Sequence, residues 1–198
     1  MATVTLRIGP ADHGRAMTLD DFLDAEEEPG YRYELANGVL EVTNVPNDPH
    51  GLIIWFLLDA LSEFGRRHPG LILRAGGSGE FQLRLPGLDT GRNPDVAVVL
   101  HGTPKDERGR RPPSLVMEVV SEGADAHERD YVAKRREYLA VGLREYWIID
   151  PIERRVTVLV RDGDVWAERI FVGDAAAEGL VLPGFRLPLA ELWEQAEE

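Results

Sequence analysis

The chain has 198 residues, 43% hydrophobic and 29% charged, enough for one domain (1–198) with a real core. It has no cysteine, which excludes a disulfide framework and a thiolate zinc site and fits a cytoplasmic protein. The net charge of −13 argues against tight non-specific nucleic-acid binding, which phosphate neutralisation drives; it leaves room for local basic clusters at Arg108, Arg110 and Arg111 and at Lys134, Arg135 and Arg136.

Residues 1–16 lack the apolar stretch of a signal peptide and read as a flexible arm. Thr18-Leu19-Asp20-Asp21 resembles a capping box opening a short helix. Strands over Tyr31–Leu35 and Val39–Thr43 flank Asn37-Gly38, a hairpin signal because Asn-Gly accepts positive φ. Asp48-Pro49 reads as an N-cap and first helical residue. The helix that follows, over 49–67, spaces Ile53, Ile54, Leu57, Leu58, Leu61 and Phe64 helically. Its apolar run from Leu52 to Leu58 is too short to span a bilayer. Strands at 71–75 and 80–85 lie either side of Gly76-Gly77-Ser78-Gly79, which precedes a strand and so is not a phosphate loop. Residues 86–93 read as loop. Asp95–Leu100 and Leu115–Ser121 read as buried strands around a polar loop at 102–113. A helix over 126–140 and a strand over 144–149 complete a parallel crossover from 115. A hairpin turns at Asp162-Gly163, and Leu189, Leu192 and Trp193 mark a closing helix.

Two carboxylates interrupt this apolar pattern. Asp95 opens the run Val96–Leu100, and Glu118 sits inside Leu115–Val120. A carboxylate in a buried strand is costly unless paired, protonated or bound to a cation. Lys134 is one of only two lysines against 20 arginines. It lies four residues after Asp130 and four before Tyr138, so the three share one helix face. Two acids on neighbouring strands with a lysine nearby point to a hard divalent cation and metal-dependent phosphodiester chemistry. Each residue also has a plainer reading: turn chemistry for Asn93-Pro94-Asp95, a buried salt bridge for Glu118, and an exposed ion pair for Lys134 with Asp130. Glu34, on the hairpin strand face opposite Tyr33 and Leu35, is a fourth candidate, against a solvent-facing strand position. His50 reads as a helix-start histidine without a catalytic part. No histidine pair has HExxH spacing. Trp147 and Trp166, with the 162–163 hairpin, are candidate interface elements of a homodimer.

Several segments together resemble the Uma-two family of restriction endonucleases, within the PD-(D/E)XK nuclease superfamily. They are Tyr33-Glu34-Leu35-Ala36-Asn37-Gly38, His50, Pro94-Asp95, Glu118-Val119-Val120-Ser121, and Asp130-Tyr131-Val132-Ala133-Lys134. Tyr138 to Gly142, Glu145 to Pro151 and Leu182-Pro183-Gly184-Phe185 continue the likeness, in order, over about residues 18–193. The resemblance implies an α/β (α+β) fold: a restriction-endonuclease-like central mixed β-sheet flanked by helices, with an added C-terminal β-hairpin. It implies a Mg²⁺ site, with Mn²⁺ as a substitute, held by Asp95, Glu118 and the Val119 carbonyl, with Glu34 as an outer or second-metal ligand. The superfamily lysine usually stands two residues after the second acid, where this chain has Val120; Lys134 on the following helix would supply it. DNA is the implied substrate, with no membrane partner. The other functional class is a non-catalytic nucleic-acid-binding or regulatory module that keeps the fold.

Overall fold

The computed structural model describes residues 5–45, 48–77 and 79–197. Residues 1–4 of the expected arm, 46–47, Ser78 and Glu198 lie outside them; Asp48, expected as the N-cap, is the first residue of its helix. In chain order the elements are β1 (Arg7–Ile8), α1 (Leu19–Asp24), β2 (Glu26–Glu27), β3 (Tyr31–Ala36), β4 (Val39–Asn44), α2 (Asp48–Arg67) and β5 (Ile72–Gly77). Then come β6 (Leu83–Leu85), β7 (Thr90–Arg92), β8 (Val96–Leu100), β9 (Leu115–Val119), α3 (Ala124–Glu128), a π-helical turn (Arg129–Ala133) and α4 (Lys134–Ala140). β10 (Glu145–Asp150), β11 (Arg155–Asp162), β12 (Val165–Val172), β13 (Ala176–Ala177), β14 (Leu187–Pro188) and α5 (Leu189–Gln195) close the chain. These elements form two compact units, one from Met1–Pro46 with Gln82–Asn93 and the other from Asn47–Phe81 with Pro94–Glu198.

The first unit carries a four-stranded sheet in the order β4-β3-β7-β6. Asn37 (φ 48°) and Gly38 (φ 78°) both take positive φ, which makes β3 and β4 a tight hairpin. Thr18 caps α1 by accepting the Asp21 amide. Part of the expected arm is ordered: β1 pairs with β2, and Ile8 is fully buried beside Phe22, Tyr33, Leu35 and Leu40. The expected loop at 86–93 contains β7. Tertiary pairing supplied that strand, since Thr90-Gly91-Arg92 has little strand character by itself.

The second unit is built on a mixed six-stranded sheet in the order β12-β11-β10-β9-β8-β5. β9 and β10 are parallel, as the crossover requires; the other neighbours are antiparallel. The strands expected either side of 76–79 therefore join different sheets, β5 pairing with β8 and β6 with β7. One face packs on α2 and α5 through Ile53, Leu57, Leu61, Val96, Val98, Leu115, Met117, Val119, Trp147 and Leu192. Because side chains alternate along a strand, Glu118, Tyr146 and Ile148 share the other face. Trp147 is 1% exposed, and its ring N–H donates to Glu145 at 2.7 Å, so it belongs to the core and cannot form an interface. Among the described residues no helix is long and apolar enough to cross a membrane.

Candidate active site

The candidate site lies in the second unit, where β8 begins and β9 ends. Val96 pairs with Met117, so continuing that register by one residue sets Asp95 opposite Glu118. Both are buried, at 2% and 1% exposure. Asp95 Oδ2 accepts the Val119 amide at 2.9 Å, which brings the Val119 backbone beside the carboxylate. His50 Nε2 stands 3.2 Å from the same oxygen.

The crossover helix lies over Glu118. Lys134 Nζ is 3.0 Å from Glu118 Oε2, and the Tyr138 hydroxyl donates to Oε1 at 2.7 Å, so one helix face holds both oxygens. Lys134 also meets Asp130 at 3.4 Å. Asp130 is 1% exposed and Lys134 3%, so the expected exposed ion pair is a buried one. The difference comes from the π turn, which packs 129–133 against β10. There the Tyr146 hydroxyl donates to the Asp130 carbonyl at 2.9 Å. Arg129 lies 3.3 Å from Asp130. The Tyr146 hydroxyl is held well above its ordinary pKa, by burial first and then by the carboxylates of Asp130, Glu118 and Asp95, with Arg129 opposing.

Glu34 belongs to the first unit. It is 9% exposed, which rules out the solvent-facing position. Its carboxylate accepts the Asn93 amide at 2.8 Å and pairs with buried Arg92 at 3.1 Å; Arg92 also reaches Glu41 at 2.6 Å. Sequence reasoning gave no role to Tyr146, Ser121 or Arg129. Strand parity with Glu118 was the available signal for Tyr146.

Among the described residues no three His, Asp or Glu side chains are gathered into a formed metal site. The donor set still fits Mg²⁺, which keeps several waters and is commonly held by one or two carboxylates plus substrate phosphate. Asp95 and Glu118 are hard oxygen donors. Lys134 pairs with Glu118 and Asp130, and Arg129 with Asp130, whereas Asp95 is met by the His50 ring and the Val119 amide.

With this geometry in place, comparison with known proteins identifies the lineage. The family described as "Putative restriction endonuclease" (Uma2) matches residues 19–190. The chain belongs to the Uma2 family. A similar fold occurs in the crystal structure of a protein from Anabaena variabilis ATCC 29413, described as a putative nuclease belonging to DUF820. The TM-score is 0.71 at 21% identity, over 91% of this chain and 99% of that one. Among curated proteins none matches this chain. Membership of Uma2 supports a nuclease function, and Asp95, Glu118 and Lys134 all fall within the matched span.

Proposed function

We propose that this Uma2 chain is a Mg²⁺-dependent endonuclease hydrolysing phosphodiester bonds of DNA, with Mn²⁺ as a substitute ion. The observation that carries the reading is the buried array of Asp95, Glu118 and Lys134 where β8 begins and β9 ends. Asp95, Glu118 and the Val119 carbonyl would hold the ion. When bound, it supplies Lewis-acid polarisation of the phosphate and a more acidic water. Lys134 places a compact ammonium beside the reacting phosphate, where it offsets the charge developing in the transition state. Tyr138 keeps the Glu118 carboxylate from rotating. The proposed centre uses the second unit alone, because the Glu34 contacts given above lie within the first.

Cleavage of both strands is simplest for a cytoplasmic homodimer. The edge strand β12 exposes Val165, Ile170 and Val172 and is the element best suited to pair. Light scattering at micromolar concentration checks this, and a monomer counts against it. The second reading is a non-catalytic nucleic-acid-binding or regulatory module, and the −13 charge weighs against tight phosphate binding in either reading. The deciding assay incubates the wild type and Glu118→Gln with plasmid, single-stranded DNA and RNA in Mg²⁺, Mn²⁺ or EDTA. The proposal expects metal-dependent plasmid cleavage that Glu118→Gln lowers about 100-fold or more. A wild type inert in every arm would favour the binding module.

A further inference from the structure

The geometry points to His50 as a positioning residue of the carboxylate site. This rests on the metal-centre reading above but is measurable apart from it. A histidine that merely starts a helix would point to solvent or satisfy its own backbone. His50 does neither: it is 6% exposed, with Nε2 3.2 Å from Asp95 Oδ2 and Nδ1 3.4 Å from the Ser121 hydroxyl. Three elements thus meet on one imidazole: the first turn of α2, the residue entering β8, and the segment leaving β9.

The effect falls on Asp95. Its Oδ2 is held by the Val119 amide on one side and approached by the His50 ring on the other. Swinging the carboxylate away would break the hydrogen bond from the Val119 N–H and take the oxygen away from the buried His50 ring, each a cost. With its orientation limited in this way, Asp95 has little freedom to lose when a cation binds. Partners that orient a ligating carboxylate commonly contribute about 10–100-fold to metal affinity. His50 therefore acts through Asp95.

The two ring nitrogens supply a discriminating test. A glutamine amide can approach the Nε2 position, whereas the shorter asparagine reaches only the Nδ1 position. The full chain carrying His50→Gln, His50→Asn or His50→Ala is compared with wild type by two measurements. One is amide exchange at Val119, which needs no metal; the other is Mn²⁺ binding by calorimetry. His50→Gln should keep Val119 protection and bind Mn²⁺ within a few-fold of wild type. His50→Asn and His50→Ala should speed Val119 exchange and weaken Mn²⁺ about tenfold or more. Unchanged Val119 exchange in His50→Ala overturns the inference. So does an equal loss in all three variants with faster exchange along the whole of α2, the mark of a purely structural role. If wild type binds no Mn²⁺ while the Val119 pattern holds, positioning stands and the metal reading fails. If wild type binds Mn²⁺ and His50→Ala binds it equally well, the positioning role fails and the metal reading stands.

Discussion

Lys134 shows how much one buried charge can decide. Its ammonium lies between Glu118 and Asp130 with almost no solvent to screen it. Removing one partner of such a pair leaves an uncompensated buried charge, commonly costing about 3–5 kcal/mol. Lys134→Ala should therefore destabilise the metal-free protein by that order in urea melts. Added Mn²⁺ should recover part of the loss, because a divalent ion offsets the same carboxylates. Asp130→Asn should also be costly, because its buried carboxylate pairs with both Lys134 and Arg129; a change below about 0.5 kcal/mol would return it to the surface class. Tyr131 offers a test in pH. Burial, aided by Asp150 and opposed by Arg155, pushes its hydroxyl from 10.0 up to about 12. The unfolded chain releases that proton first as pH rises. The stabilisation is therefore complete below about pH 10 and is lost as pH climbs through about 12. Tyr131→Phe should flatten the alkaline fall in melting temperature, and an unchanged slope would contradict the assignment.

At the scale of elements, the crossover helix is shaped by its π turn. The Lys134 amide reaches back five residues to the Arg129 carbonyl, one more than an α-helix allows. Asp130, Lys134 and Tyr138 still meet the sheet from one side. The C-terminal segment is held by another buried acid. Glu145 accepts N–H groups from Trp147 (2.7 Å), Leu180 (2.6 Å) and Val181 (2.9 Å), fastening the chain after β13 onto β10. Glu145→Ala would strand the buried Trp147 and Val181 donors and the half-buried Leu180 amide, and should cost about 3 kcal/mol in chemical denaturation. In the first unit, β7 runs close under α1. A Cβ on Gly91 would come within 2.8 Å of the Phe22 ring. Gly91→Ala should therefore destabilise by about 1–3 kcal/mol, and a neutral result would mean the ring moves aside freely.

For the molecule as a whole, charge dominates. A chain carrying −13 repels itself, and salt relieves that repulsion. Raising monovalent salt from about 10 mM to about 0.15 M shortens the screening length from roughly 30 to roughly 8 Å. The melting temperature should rise over that range. Mn²⁺ at matched ionic strength should add a further shift if it binds the folded site specifically. A shift explained by ionic strength alone would count against a specific cation site. Any DNA binding through its basic clusters would weaken with salt in proportion to the phosphates they neutralise, so affinities compare only at one ionic strength.

Local chemistry determined much of this protein from its sequence. Asn37-Gly38 specified the hairpin, since few residues accept two successive positive φ angles. Apolar spacing specified α2, β8 and β9, and the two acids interrupting apolar strands marked Asp95 and Glu118. The three-residue face of Asp130, Lys134 and Tyr138 was also legible, because helical periodicity is local. Tertiary structure alone decided the remainder. It recruited β7 into a sheet, buried Ile8 and Trp147, and turned the Lys134–Asp130 pair inward. It also brought His50 to Asp95 across 45 positions of chain. Burial and long-range pairing depend on which surfaces meet, and no local pattern of residue types carries that information.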